Sequence, residues 1–574
     1  MIRSGTEELP QCVDVIVLGS GAAGLTAALT AALNGLSCLV LEHQDTIGGT
    51  SARSSGSVWV PANRAMQKAG KDDTAAARLY LDTLVKDRAP QAMRDTFLNS
   101  AHRMQSELED QAGIGFRPLV GAVDYRQDLP GAAQGWRPLD PLPFDGRKLG
   151  GDFNRLSAPL PELMLFRGMM VTRPEAASLL RADRSLFGAW LGVRLVSRFL
   201  RDRLRYRRGT RLVLGNALVA RLLLACVERG INVRTGVEPT GLIHDDDHVT
   251  GVTLTTGGGP LNIRAARAVI LAGGGFPASK SWREKELPAP VAAHTPASEG
   301  ARGRTLELGL GAGASLGPSG LDNALWFPSS IMKRADGSIA VYPHILLDRA
   351  KPGSIVVDQT GQRFVNEAVS YHEFVRGMYH GRGDGPCVPA WMICDRDFIR
   401  KYGLGLIRPR TPILTRYIRN GYLKTAPDAA SLGAQLNMPN DALGETITRF
   451  NSHAAQGTDP DFGRGNTIYE RNNGDPDHSP NPCLGPVGTG PLFAVSLVPT
   501  PLGTSRGLIT DTNARALNAQ GQPIAGLYVC GNDMHSAFGG EYPGAGAQLG
   551  QAMCFAWRAA KHIATHPQSK KETP

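Results

Sequence analysis

The 574-residue chain has no run of about 18 uncharged apolar residues, the length a helix needs to cross a bilayer. Its first eleven residues, Met1 to Gln11, carry acids and a proline where a secretory signal would place an apolar stretch. A cytoplasmic protein is therefore expected. Cysteine is sparse and scattered: the eight residues (Cys12, Cys38, Cys226, Cys387, Cys394, Cys483, Cys530 and Cys554) include no CxxC pair and sit beside no histidine cluster. That pattern argues against a disulfide framework and against a zinc site, and no metal is expected. Internal repeats and low-complexity blocks are also missing.

What is present is 42% hydrophobic residues over a length too great for one ordinary domain, so two or more domains should form. The 68 glycines and 39 prolines run along the whole chain, as in a loop-rich enzyme with many backbone-to-ligand contacts. The formal net charge is +10. Such a charge suits nucleic acid, an anionic membrane surface or plain solubility, and no nucleic-acid-binding signature accompanies it. No nucleic-acid partner is expected.

Val13 to Leu18 (VDVIVL) is a short β-branched run that feeds directly into Gly19-Ser20-Gly21-Ala22-Ala23-Gly24. This is GxGxxG in the strand-to-helix setting that gives it meaning. Gly19 allows the tight turn, Gly21 the approach of a pyrophosphate, and Gly24 the close packing of a helix over Leu25 to Asn34. A second apolar run, Ser37 to Leu41, ends in Glu42, placed to accept hydrogen bonds from an adenosine ribose, with His43 beside it. After it, Ile47-Gly48-Gly49-Thr50-Ser51 and Ser54-Ser55-Gly56 make a backbone-exposing loop that an NAD site does not need.

That loop resembles the one that flavoproteins of the fumarate reductase and ketosteroid dehydrogenase superfamily lay along the isoalloxazine ring. Three remote segments carry the resemblance further. Ala268 to Phe276 (AVILAGGGF) runs a strand into Ala272, Gly273 and Gly274. Ile524 to Asp533 ends in Gly531-Asn532-Asp533, where the superfamily binds the ribityl chain. Gly215 to Leu218, with the strand Ile231 to Val237, resembles the crossover that contacts adenine. The resemblance implies FAD, bound non-covalently because Gly48 to Gly56 contains no histidine for attachment. It also implies a doubly wound α/β FAD-binding domain over residues 11–285 and 488–568, with an α+β capping domain inserted at 286–487 and substrate held in the cleft between them.

Dicarboxylate reductases of the superfamily clamp substrate with a histidine and an arginine, and this chain departs from both patterns. It reads Leu502-Gly503-Thr504-Ser505-Arg506-Gly507 at one place and Gly540-Glu541-Tyr542-Pro543-Gly544-Ala545-Gly546 at the other, leaving Arg506 as a displaced clamp or an interdomain arginine. The second segment, followed by Gln548 and Leu549, resembles the tyrosine-Xaa-glycine element of the 3-ketosteroid dehydrogenase family. By that resemblance the Tyr542 hydroxyl and the Gly546 amide form an oxyanion hole for a ketone. Phe364 to Tyr371 resembles the segment ending in the family's basic tyrosine, so Tyr371 is the candidate base, with Glu367 and His372 as rivals. Tyr125 stands where the family places a partner hydroxyl, or is simply structural.

The chemistry implied is α,β-dehydrogenation beside a ring ketone. A 3-ketosteroid or a smaller cyclic ketone, Δ1 or Δ4 regiochemistry, and quinone or oxygen as electron acceptor all stay open. A fumarate-type reductase is the remoter enzymatic reading, and a flavin-dependent sensor the non-enzymatic one. Trp59, Trp136, Trp326, Phe327 and Phe538 are candidates to line an apolar pocket. Between Arg184 and Arg208, apolar residues from Leu186 to Leu200 interleave with eight arginines. That stretch reads either as a helix lying on an anionic bilayer or as one packed on the protein with a solvated arginine face. Asp245-Asp246-Asp247-His248 reads as a hairpin turn.

Overall fold

The computed structural model describes residues 2–166, 168–180, 185–256, 259–383 and 385–566. β1 (Cys12–Leu18) is fully buried from Val15 onward, as its β-branched, uncharged second half requires. It turns at Gly19 into α1 (Ala22–Leu33), which is buried from Ala22 to Ala31 and starts three residues before the expected Leu25. β2 (Cys38–Glu42) lies parallel to β1 with Val15 opposite Cys38. A short helix, α2 (Gly49–Arg53), follows, capped by Gly48 at φ 112°.

The stretch from 184 to 208 supplies α3 (Leu186–Arg203); Arg184 lies outside the described residues. α4 (Leu214–Glu228) then leads to β3 (Asn232–Thr235), parallel to β2. β4 (Pro239–Asp245) and β5 (His248–Thr256) form a hairpin in which Asp245 pairs with His248 and Asp246 takes φ 54°. This turn needs no metal: its acidic run is the polar corner between two strands. β6 (Gly259–Leu271) pairs antiparallel with β5 in its first half and parallel with β1 in its second.

The chain then builds a second sheet. β7 (Ala324–Lys333), β8 (Ile339–Pro343), β9 (Ser354–Val357), β10 (Ala390–Asp395), β11 (Lys424–Ala426) and β12 (Leu492–Thr504) make six strands in the order β8-β7-β12-β10-β9, with β11 on β12. α5 (Tyr371–His380) packs on β7, and α6 (Ala442–Ala455) turns Leu443, Ile447, Phe450 and Ala454 toward a separate small core under β9 and β10. β13 (Pro523–Val529) returns to the first sheet, parallel to β6, and α7 (Ala547–Thr565) lies against α1. The parallel order β3-β2-β1-β6-β13, with helices packed against it, is a doubly wound α/β fold.

The second sheet extends past residue 487. β12 begins after that residue yet pairs with β7, β10 and β11, so the inserted sheet reaches Thr504. Its run of apolar residues looks the same whichever sheet it joins. The chain enters and leaves the insertion through neighbouring antiparallel strands, with Ala324 opposite Thr504 and the Ser505 amide donating to the Asn323 carbonyl at 3.0 Å.

Candidate active site

Four glycine-rich turns meet at one end of the parallel sheet. The Ala22 amide donates to Ser51 Oγ at 3.1 Å and the Gly48 amide to Ser20 Oγ at 3.1 Å, joining the first two turns. The buried Asp533 carboxylate accepts from the Gly273 amide at 2.6 Å and the Gly275 amide at 2.7 Å, joining the other two. Asp533 thus secures the turns themselves. Glu42 accepts from the Ser20 amide (3.0 Å), Ser20 Oγ (2.6 Å) and the Gln44 amide (3.0 Å) and pairs with His43 at 3.2 Å. Although burial alone would raise it, these partners hold its carboxyl below the ordinary range.

The glycines divide into packed and open positions. A Cβ on Gly24 would sit 2.0 Å from the Gly19 carbonyl oxygen, and one on Gly19 would sit 2.3 Å from that of Ala272. These two are needed for packing. A Cβ on Gly21 would meet only Ser51 Oγ, at 3.5 Å, and one on Gly49 would meet no protein atom within 4 Å. Space over Gly21 and Gly49, beside a helix N-terminus, fits a dinucleotide pyrophosphate. Thr50 Oγ1 accepts from the Ser298 amide, the Val237 amide donates to the Glu42 carbonyl, and Gln548 Nε2 donates to Asn532 Oδ1 at 2.8 Å.

Beyond these turns three tyrosines converge. The Tyr125 and Tyr371 hydroxyls are hydrogen-bonded at 2.8 Å, although 246 residues separate them. Tyr542 completes the group, its ring centroid 5.5 Å from Tyr371 and 5.4 Å from Tyr125. Tyr371 opens α5, whose N-cap Ser370 accepts from the Glu373 amide. Arg349 fixes the approach to that helix by donating to the Glu367 carbonyl at 2.6 Å while lying over the Phe374 ring. Burial, and then Tyr125 and Tyr542, push the Tyr371 phenol well above its ordinary pKa. Tyr542 is raised by burial, with its hydrogen bond to Tyr371 opposing the shift. A small cleft is lined by Tyr542, Phe538, Asn532, Gln548 and Leu325.

Gly546, at φ 87°, caps α7, and its carbonyl accepts from the Trp59 amide. A Cβ there would lie 2.3 Å from the Ser57 carbonyl oxygen, so only glycine fits. Glu367 is consumed by Arg363, Arg464 and the Val356 amide. His372 is buried with its ring 6.0 Å from Tyr542, and burial and Arg376 hold it well below the usual imidazole pKa. The Arg506 guanidinium pairs with Glu286 and donates to the Gly317 carbonyl. Of the five candidate aromatics, Phe327 reaches Tyr371 at 4.8 Å and Phe538 lines the cleft; Trp59 and Trp326 are core, and Trp136 packs under Lys71.

Sequence reasoning missed Tyr469, whose ring lies 5.2 Å from Tyr125, and the ion pairs flanking the tyrosines. No local pattern marks residues that meet only in three dimensions. Another arrangement is sealed: His344 lies between Asp348 (2.6 Å) and Ser330 (2.7 Å), and Ser330 also bonds Tyr422. All are buried, and Gly405 leaves no room beside them for a substrate.

A family profile described as an FAD binding domain matches residues 14–549. The 3-oxosteroid 1-dehydrogenase of Mycobacterium tuberculosis (strain ATCC 25618 / H37Rv) is 35% identical over 565 residues, covering 96% of this chain and 98% of that protein. The chain belongs to the FAD-dependent 3-ketosteroid dehydrogenase family. The flavoenzyme also superposes on the 3-ketosteroid Δ1-dehydrogenase of Sterolibacterium denitrificans, solved with 1,4-androstadiene-3,17-dione, with TM-score 0.90, 34% identity and coverage of 97% of this chain and 100% of that one. A 4-oxocyclohexanecarboxylate 2-dehydrogenase of Sinomonas cyclohexanicum is likewise 35% identical, over 96% of this chain and 92% of that protein. The flavoenzyme is an FAD-dependent oxidoreductase.

Because the Gly48–Gly56 loop has no histidine, acid precipitation is expected to release intact FAD into the supernatant. Yellow colour retained in the washed pellet would show a covalent link elsewhere.

Proposed function

We propose that the flavoenzyme introduces an α,β double bond beside a ring ketone, and the convergence of Tyr125, Tyr371 and Tyr542 at the edge of the glycine turns carries this reading. Tyr542 and the Gly546 amide polarise the ketone, stabilising the enolate charge that develops as the α-proton leaves. Tyr371 takes that proton, its hydroxyl lying 2.8 Å from that of Tyr125. The turns around Gly21, Gly49, Gly274 and Gly531 would hold FAD non-covalently, and bound there it would supply the acceptor for the hydride that leaves the β-carbon. A 3-ketosteroid, desaturated at Δ1, is the substrate class that the TM-score of 0.90 favours. A smaller oxocyclohexane is the second reading, favoured by a relative of equal, 35%, identity.

The pH response follows from the base. Only the phenolate of Tyr371 accepts a proton, and its pKa is raised, so the active fraction is small at neutrality and grows with pH. Single-turnover flavin reduction should climb from about pH 6 to beyond about pH 9, the range below an ordinary phenol pKa of about 10. A flat profile over that range would remove Tyr371 as the base.

Tyr542→Phe keeps the shape of the site and deletes one donor. Flavin reduction at saturating ketone should slow by roughly 10²- to 10³-fold, with a smaller effect on ketone binding. Arg506→Ala should leave that rate within about threefold, since its guanidinium serves Glu286 and Gly317. The opposite ranking would favour carboxylate reduction. Running the assay with a 3-keto-4-ene steroid and with 4-oxocyclohexanecarboxylate separates the two substrate readings by their kcat/KM.

α3 supports peripheral contact with a membrane. Leu191, Leu195 and Phe199 face inward onto Met169 and its neighbours, while Leu186, Phe187, Trp190, Val193, Leu200 and Leu204 form a second, exposed apolar stripe. Arg194, Arg201, Arg203, Arg205 and Arg207 lie along the same segment. The stretch is therefore packed on one side and apolar and basic on the other. Each such apolar side chain is worth about 1.5–3 kcal/mol when fully removed from water. No helix among the described residues is long and apolar enough to cross a membrane. The protein should co-sediment with vesicles containing anionic lipid, and Leu186→Asp with Trp190→Asp should abolish this without changing turnover of a soluble ketone. Equal sedimentation of both forms would refute membrane contact by α3.

A further inference from the structure

Each of the three tyrosines lies within five residues of a member of one ion-pair network. Arg126 follows Tyr125, Glu373 and Arg376 lie on the helix opened by Tyr371, and Glu541 precedes Tyr542. Arg376 is the centre of the network. Its guanidinium donates to Asp322 at 2.8 Å, Glu373 at 3.0 Å, Glu541 at 2.8 Å and the Gly540 carbonyl at 3.1 Å. Arg126 reaches Glu373 at 3.7 Å while held by Asp128, and Arg88 closes on the other oxygen of Glu541.

The two sides of Tyr542 are anchored differently. On the far side, the Pro543 carbonyl accepts from the Tyr80 hydroxyl at 2.7 Å and the Tyr125 amide at 3.0 Å. On the near side Arg376 grips both a carbonyl and a carboxylate, and it comes from the inserted domain. α5 is fixed independently by Phe374, Val375 and Met378, all buried. Loss of the arginine therefore leaves Tyr371 in place and removes the near-side hold on the loop that carries Tyr542, Arg88 alone then bonding Glu541.

We infer that Arg376 is a positioning residue that sets the Tyr542 hydroxyl relative to Tyr371, coupling the inserted domain to the ketone-polarising loop. It touches neither tyrosine hydroxyl. The bidentate hold on Glu541 and Gly540 fixes direction as well as distance, which an ammonium cannot match. The inference rests on the proposed role of Tyr542, so the test carries both in one cycle.

Single-turnover flavin reduction by a 3-keto-4-ene steroid is measured in the FAD-loaded parent, Arg376→Gln, Tyr542→Phe and the double variant, across steroid concentrations. Arg376→Gln should lower the saturating rate by about 10- to 100-fold, the scale of a small misplacement, with a lesser change in apparent steroid affinity. Arg376→Lys should recover part of that loss. In the Tyr542→Phe background the same Arg376→Gln change should cost less than about threefold, because the hydroxyl it positions is gone. Should Arg376→Gln fail to hold FAD, Glu541→Gln, equal in shape to its parent, takes its place in the cycle. Equal losses in both backgrounds would overturn the inference and leave the Tyr542 reading standing. A Tyr542→Phe variant as fast as the parent would overturn both.

Discussion

The hydrogen bond between the Tyr125 and Tyr371 hydroxyls joins two chain segments 246 residues apart, one before and one inside the inserted domain. At 2.8 Å it ties the segment carrying Tyr371 to the one carrying Tyr125. Much of the surrounding structure supports that tie. Arg349 fixes the approach to Tyr371, Asp124 holds Trp59 beside the Tyr542 loop, and Arg137 ties Asp124 to Asp73. Arg137, Asp73 and Asp124 are buried charges, stable because each carboxylate has a cation and further donors.

A chemical tension follows from the same burial. A site for an apolar ring must exclude water, and exclusion raises the pKa of every phenol in it. A phenolate formed there would be a stronger but rarer base. Tyr125 is held beside Tyr371 by neighbouring backbone, its amide donating to the Pro543 carbonyl. His372 and Glu367, the other candidate bases in the same segment, are engaged elsewhere: burial and Arg376 hold the imidazole well below its usual pKa, and Arg363 binds the carboxylate.

The parts of the fold visible in the sequence are those whose cause is local. The Gly19, Gly21 and Gly24 spacing, the strand before it and Glu42 after it all express one strand-turn-helix unit, and the structure places them in that unit. The Asp245–His248 hairpin is equally local. β12 was not legible, because which sheet a run of apolar residues joins is decided by partners far along the chain. The Arg376 network was invisible for the same reason: Asp322, Arg376 and Glu541 come from three separate segments, and each alone is an ordinary charged residue. In α3 the helical period was legible, but not that it carries two apolar stripes on opposite sides.

The paired entry and exit of the inserted domain limit how the cleft can open. A domain hung on single covalent strands can swivel freely, whereas Ala324 and Thr504 belong to a two-stranded ribbon whose ladder continues through Asn323 and Ser505. Motion must then take the form of bending or twisting that ribbon, with little slack at its root. Leu325 and Thr504 line the same cavity as Asn532, Gln548 and Tyr542, so the wall nearest the ribbon moves least. Any widening would therefore be concentrated at the rim opposite the ribbon.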